Sequence, residues 1–360
     1  MEGRLFGTNG VRGVVNEEMT VQLAMDLGRA IGTFMGGRIA IGNDSRTSAD
    51  MLKGAVSSGL MSAGADVLDL GLVPTPALQF FVKRGDAGGG VVITASHNPP
   101  EFNGVKCVDG DGTEMPRSKE ERIESIYFDR AFETKPWSKV GSLVRTEGAV
   151  DSYLSSVLSH VDREAIRGAG LAVVLDCANG AGAVSTPRML ESLGVRAITM
   201  NCSPQGTFPG HPSEPTEENL RTLISVVKDA SADLGIAHDG DADRTIFVDD
   251  RGRYVHGDRS LAVVARSIVS EKSGGTVVTP VSTSLAVEEA VAGAGGEVVY
   301  TMVGAPIVAR RMMDLGAVFG GEENGGLIFP EHQYCRDGAM AAAKMLEIVA
   351  RHGPLSDLLD

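Results

Sequence analysis

Residues 171–200 read LAVVLDCANGAGAVSTPRMLESLGVRAITM. The run Leu171-Ala172-Val173-Val174-Leu175 is apolar and rich in valine, which marks a buried strand. Cys177-Ala178-Asn179-Gly180 then turns the chain, a helix runs to about Leu193, Gly194 caps it, and Val195 to Met200 forms a second strand. Glycine suits the cap because it takes the left-handed conformation cheaply. The same succession occurs twice more. Ile39-Ala40-Ile41-Gly42 leads through Asn43-Asp44-Ser45-Arg46-Thr47 to a helix over about Ala49 to Ser62, then Gly64, then a strand over Asp66 to Leu70. Thr276-Val277-Val278-Thr279 leads to a helix over about Leu285 to Val291, then Gly295-Gly296, then a strand over Glu297 to Tyr300. Short crossovers of this kind build parallel sheets with helices on their faces. The reading is an α/β protein of three similar units, each a mixed, mostly parallel sheet. Spacing alone also admits one large sheet.

Working outward, helices are expected over Lys119 to Phe132 and Val150 to Val161, with a linker near Arg163 to Gly170. The units are set at 1–150, 151–254 and 255–360. Each holds a complete strand–helix–strand set and is expected to bury its own core.

The chain has 360 residues, room for two or three domains, and is 42% hydrophobic. A net charge of −14 argues against general nucleic-acid binding, and 5% aromatic content leaves little for base stacking. No uninterrupted apolar run is long enough to span a bilayer, and Met1-Glu2-Gly3-Arg4-Leu5-Phe6 has no signal-peptide core. Cys107, Cys177, Cys202 and Cys335 are scattered without a Cys-x-x-Cys pair, which suits reduced thiols and a cytoplasmic protein.

Three loops carry candidate chemistry. Thr94-Ala95-Ser96-His97-Asn98-Pro99-Pro100 follows the buried strand Val91-Val92-Ile93. A serine just past the carboxyl end of such a strand lies where open α/β sheets bind ligands, so Ser96 is a candidate nucleophile, with His97 beside it and Lys106 close behind. An Asn-Pro turn with a solvated serine reads the same way. Asp239-Gly240-Asp241-Ala242-Asp243-Arg244 sits between Leu234-Gly235-Ile236-Ala237 and Thr245-Ile246-Phe247-Val248. Alternating carboxylates can converge on one hard cation, and with no thiol or imidazole they suit magnesium better than zinc. An EF-hand needs glycine and glutamate where Arg244 and Asp250 stand, so calcium-loop geometry is excluded. Gly320-Gly321-Glu322-Glu323-Asn324-Gly325-Gly326 is the third loop, where Glu322 and Asn324, two apart, can hydrogen-bond sugar hydroxyls. From spacing alone, an ordinary glycine-rich loop is the better reading of it. Arg12, Arg46, Lys106 and Arg244 are the phosphate candidates.

Together and in this order, Thr94-Ala95-Ser96-His97-Asn98-Pro99, Asp239-Gly240-Asp241-Ala242-Asp243-Arg244 and Gly321-Glu322-Glu323-Asn324-Gly325 resemble the α-D-phosphohexomutase family. Leu5-Phe6-Gly7-Thr8-Asn9-Gly10-Val11-Arg12-Gly13 is similar to its phosphoglucosamine mutase branch, and Ile328-Phe329-Pro330-Glu331 after the third loop to archaeal members. The resemblance implies interconversion of hexose 6-phosphate and hexose 1-phosphate through a phosphoserine and a bisphosphate. Glucosamine phosphate is the expected substrate, with mannose or glucose phosphate as the alternative. Ser96 would carry the phosphoryl group, and Asp239, Asp241 and Asp243 would bind magnesium with a phosphoserine oxygen. His97 and Lys106 would move protons or orient phosphate, Arg244 and Arg12 would supply positive charge, and Glu322 and Asn324 would grip the sugar. A homodimer is the expected assembly. Two departures stand out: Met302 and Ala305-Pro306 replace more polar residues, and the family's fourth, phosphate-holding domain is missing from these 360 residues, so poor turnover is expected of them. An aspartyl-phosphate phosphatase using Asp239 and Asp241, and a phosphosugar-binding module without turnover, are the competing readings.

Overall fold

The computed structural model describes residues 4–7 and 9–360, so Met1-Glu2-Gly3 and Thr8 of the opening stretch lie outside the described residues. Three separate sheets form, so the single-sheet alternative does not hold. The first runs in the order Val11–Val14, Phe102–Val108, Gly90–Ile93, Arg38–Asn43, Asp66–Leu72, Leu143–Arg145. Its last four strands are parallel, and Phe102–Val108 is antiparallel to both neighbours. The second runs Tyr254–Val255, Thr245–Val248, Leu234–His238, Ala172–Asp176, Arg196–Met200. The third runs Glu297–Thr301, Thr276–Pro280, Phe319–Glu322, Gly326–Phe329, Gln333–Arg336. In each of these two sheets, three parallel strands are followed by antiparallel ones.

One regularity places the chemistry. In every sheet the third parallel strand in chain order turns back through a loop into an antiparallel neighbour. Those loops join Gly90–Ile93 to Phe102–Val108, Leu234–His238 to Thr245–Val248, and Phe319–Glu322 to Gly326–Phe329. They are the three loops singled out above.

The helix Ala49–Ser62 has the expected bounds and stops before Gly64, whose φ is +92°. The expected helices near 119–132 and 150–161 are Arg117–Phe128 and Ala149–Ser159. The stretch expected as a linker is instead the helix Arg163–Ala169. Asp162 caps it by accepting from the N–H groups of Glu164 and Ala165, Gly170 ends it in the left-handed conformation, and Ile166 is buried. The helix after Gly180 is split into a 3₁₀ turn, Ala181–Val184, and the α-helix Thr186–Leu193 with Pro187 in its first turn.

Each unit buries an apolar cluster of its own, around Ile39 and Val91, around Val174 and Val248, and around Val278 and Ile328, and the three also share one. One apolar cluster runs from Ala40 and Phe80 through Leu175 and Phe247 to Phe319 and Leu355. The helix Gly338–His352 lies within it, buried from Gly338 through Val349. A helix buried on all sides needs neighbours on all sides, and segments 149–159, 163–169, 186–193 and 257–271 supply them, while its buried Lys344 and Glu347 pair with each other at 2.6 Å. Among the described residues no helix is long and apolar enough to cross a membrane.

Candidate active site

Ser96 sits on the first loop at φ +52°, the left-handed region that non-glycine residues enter at a cost. A buried network holds it there. Its N–H donates to Thr94 Oγ1 at 2.8 Å, and the Thr94 hydroxyl donates to Asp44 Oδ2 at 2.6 Å. Asp44 is salt-bridged to Arg46 at 3.1 Å. The Arg46 guanidinium also donates to the carbonyls of Ser96 (2.8 Å), Asn98 (2.6 Å), Pro99 (2.6 Å) and Phe102 (2.8 Å). Arg46, a phosphate candidate by sequence, is therefore a brace: its side chain is fully buried and its donors are occupied by the loop.

The Ser96 loop meets the acidic loop directly. The Ser96 hydroxyl donates to Asp239 Oδ2 at 2.7 Å and lies 3.3 Å from His97 Nδ1. The approach requires Gly240, since a Cβ there would stand 2.5 Å from the Ser96 carbonyl oxygen. Asp241 Oδ2 accepts from Lys106 Nζ and from the Thr75 hydroxyl, both at 2.6 Å. Asp243 Oδ2 accepts from Arg336 at 2.6 Å, with Lys106 Nζ at 3.4 Å. Lys106 is thus paired with the acidic loop.

The three aspartates are buried, and each offers an oxygen within 4.8 Å of the others. Asp241 Oδ1 and Asp243 Oδ1 are buried without a hydrogen-bond partner among the described residues. Orphaned carboxylate oxygens facing one point fit a hard divalent cation. Burial, with Asp241 and Asp243 as neighbours, pushes the Asp239 carboxyl up to about 8. Burial also works to raise Asp241, but Lys106 and Thr75 outweigh it and hold that carboxyl below the usual range. Burial, then the cations Arg244 and Arg12, brings His97 down to about 4, so its imidazole is neutral at neutral pH.

In front of this cluster opens a cleft of about 530 Å³. Its lining includes Arg12, His97, Arg244, Glu322, Asn324 and Arg336. Ser96 itself is fully buried behind that lining, at the cluster rather than on the cleft wall. Arg12 donates to Asn98 Oδ1 at 2.8 Å and to the Ala95 carbonyl at 3.2 Å, leaving its Nε buried and unpartnered. Arg244 Nε is likewise unpartnered, with Asp243 Oδ1 at 4.0 Å, beyond hydrogen-bond range. Two guanidinium groups with unused donors suit a phosphate. Opposite them stand Glu322 and Asn324. Glu322 Oε2 accepts from Arg336 at 3.1 Å, and Asn324 Oδ1 accepts from the Gly326 N–H at 3.1 Å. Of the departing residues, Ala305 lines the cleft beside Gly304, while Met302 is largely exposed.

Sequence reading missed Arg336, Thr75 and Glu114. Arg336 ion-pairs with Asp243, with Glu322, and with Glu114 at 3.6 Å, so it touches all three units. A lone arginine before Asp337-Gly338 gives no local signal of this. A buried serine hydroxyl, a carboxylate triad and a cationic cleft make a site suited to metal-assisted phosphoryl transfer.

Three family segments match in order. Residues 3–134, 151–252 and 256–360 match phosphoglucomutase/phosphomannomutase alpha/beta/alpha domains I, II and III. The chain belongs to the phosphoglucomutase/phosphomannomutase family. It is 43% identical to a phosphoglucomutase/phosphomannomutase of Thermococcus kodakarensis, over 99% of this chain and 80% of the relative. It is 46% identical to a phosphoglucosamine/phosphogalactosamine mutase of Sulfurisphaera tokodaii, over 97% of this chain and 78% of the relative. A solved phosphoglucomutase/phosphomannomutase family protein of Burkholderia thailandensis superposes with a TM-score of 0.88 at 29% identity, over 98% of this chain and 78% of that one.

Proposed function

We propose that this chain is a phosphohexomutase, an isomerase that interconverts hexose 6-phosphate and hexose 1-phosphate, with glucosamine phosphate as the preferred substrate. The carrying observation is the meeting of three loops from three sheets: Ser96 Oγ lies 2.7 Å from Asp239 of a carboxylate triad, behind a cleft lined by Arg12, Arg244, Glu322 and Asn324. The name of the Sulfurisphaera tokodaii relative supports the amino sugar.

In this reading Ser96 Oγ carries the phosphoryl group. Asp239, Asp241 and Asp243, with Ser96, would hold magnesium, which would supply positive charge to offset that developing on a transferring phosphoryl group. Arg12 and Arg244 bind phosphate through their free donors. Glu322 and Asn324 orient the sugar hydroxyls so that the accepting oxygen faces Ser96 in line. His97, neutral and beside Ser96 Oγ, takes the proton of the attacking hydroxyl, while Lys106 and Thr75 fix Asp241. The bisphosphate then turns around and returns its other phosphate to Ser96. The domains are taken as 1–150, 151–254 and 255–360, around the three sheets. A homodimer and a cytoplasmic location are part of the proposal on the family resemblance and the lack of a Cys-x-x-Cys pair, and a monomer mass in light scattering removes the dimer.

The test is to incubate the protein with magnesium, a hexose 1,6-bisphosphate primer and glucosamine, mannose or glucose 6-phosphate, following each 1-phosphate by phosphorus NMR. Glucosamine 1-phosphate should form fastest, and peptide mapping should find acid-stable phosphate on Ser96. A hydroxylamine-labile phosphate on Asp239 with release of free sugar supports the phosphatase reading instead.

A further inference from the structure

Away from the cleft, two thiols lie close enough to join. Cys177 follows the strand Ala172–Asp176, and Cys202 lies two residues past its parallel neighbour Arg196–Met200. They are 25 residues apart in sequence, yet their sulfurs are 3.3 Å apart. The backbone fixes this arrangement: the Cys177 N–H donates to the Met200 carbonyl at 3.3 Å, and the Asn179 N–H to the Asn201 carbonyl at 2.7 Å. An offset of one residue on neighbouring strands puts the Cα atoms about 6 Å apart, inside the span a disulfide tolerates. Cys177 is fully buried, and Cys202 is half-buried and so open to a small oxidant.

We propose that Cys177 and Cys202 form a redox-active dithiol that closes to a disulfide when a hydroperoxide reaches Cys202, and that closure weakens metal binding at the acidic loop. The second clause rests on the magnesium reading above; the first does not. The contact between the two sulfurs pulls the Cys202 thiol below its ordinary value, against burial, while burial pushes Cys177 up. Cys202 is therefore the attacking thiolate. Its sulfur takes the terminal peroxide oxygen: an S–O bond forms, the O–O bond breaks, and the leaving oxygen departs with the thiol proton. Cys177 sulfur then displaces hydroxide from the Cys202 sulfenic acid. The S–S bond forms, the S–O bond breaks, and the Cys177 proton leaves with hydroxide as water. Two thiols are oxidised and one hydroperoxide is reduced.

The pair stands at the root of a turn without slack. Ala178 and Asn179 are in the left-handed region at φ +47° and +54°. The Ala181 N–H donates to the Gly240 carbonyl at 2.9 Å, and a Cβ on Gly180 would stand 2.4 Å from that same oxygen. On the other side, the Asn179 amide donates to the Ser203 carbonyl at 2.8 Å. Drawing the sulfurs in to bonding distance, about 2 Å, moves these turns by roughly 1 Å, and Gly240 lies between Asp239 and Asp241.

The full chain, reduced and then treated with a small excess of hydrogen peroxide, is denatured, alkylated and weighed. The expected product has lost two hydrogens, carries a mapped Cys177–Cys202 crosslink and is restored by dithiothreitol. Cys177→Ser should leave a Cys202 sulfenic acid that dimedone traps, and Cys202→Ser should give no crosslink. Oxidation confined to Cys107 or Cys335, or full alkylation of Cys177 and Cys202 after peroxide, overturns the dithiol. Magnesium titration of both forms reads the second clause: oxidised protein should bind several-fold more weakly. Equal binding by both forms overturns the coupling, while no binding by the reduced form overturns the metal site and leaves the dithiol standing.

Discussion

Replacing Arg336 with Met removes a cation while keeping most of the side-chain volume. Arg336 faces Asp243 at 2.6 Å, Glu322 at 3.1 Å and Glu114 at 3.6 Å, and all four side chains are nearly inaccessible to solvent. Breaking a buried ion pair from one side costs about 3–5 kcal/mol, because the remaining charge stays buried and uncompensated. Lys106 still lies 3.4 Å from Asp243, so that carboxylate keeps part of its compensation. Glu322 and Glu114 lose a cation that lowers Glu114 against the raising effect of burial. A loss of about 4 kcal/mol at neutral pH follows. The pH dependence has a definite sign. In Arg336→Met the Glu114 carboxyl, raised by burial and now without its largest compensating cation, has a folded-state pKa above its unfolded one, so the stability it contributes is present at low pH and falls as pH rises. The deficit against wild type should therefore be smaller at about pH 5 than at about pH 8. Arg336→Lys should recover part of the loss, since one ammonium cannot fork to both Asp243 and Glu322. Urea unfolding of the three proteins at both pH values is the assay. A deficit under about 1 kcal/mol, or one that does not change with pH, refutes the reasoning.

Further outcomes are expected. Ser96→Ala and Ser96→Gly should both abolish mutase turnover, and the glycine variant should be the more stable by roughly 0.5–1 kcal/mol because residue 96 sits at φ +52°; equal denaturation midpoints count against the strain. Asp241→Asn should lower magnesium affinity by tenfold or more in a calorimetric titration while leaving far-UV circular dichroism unchanged. His211 lies 3.2 Å from Asp176, which raises its pKa above 6.5 despite burial. That contribution is fully present below about pH 6.5 and is lost as pH rises through the folded value, so His211→Gln should cost stability at about pH 5.5 and little at about pH 8.5, measured by urea midpoints.

The fold was legible because its repeat is written locally. A run such as Val91-Val92-Ile93, a turn of small residues and a helix-ending glycine each act within a few residues of themselves. The acidic loop was legible for the same reason, since its three carboxylates are neighbours in sequence. Arg336 was not, because its partners Asp243 and Glu114 come near only when the sheets dock. Arg46 was misread because an arginine beside a turn carries no mark of whether water or loop carbonyls will take its donors. The helix Arg163–Ala169 was taken for a linker because one apolar residue, Ile166, anchors it, too little for a periodic signal. The shared core escaped notice because the apolar positions of Gly338–His352 do not say which unit each will touch.

The contacts at the back of the cleft cross the boundaries between units: Ser96 to Asp239, Thr75 and Lys106 to Asp241, Arg336 to Asp243 and Glu114. In mechanical language this cluster is a joint, and one of its members, Arg336, also lines the cleft. A substitution that removes one of these contacts frees one lobe against another. A change of one charge at the joint alters how the lobes move together as well as how they react.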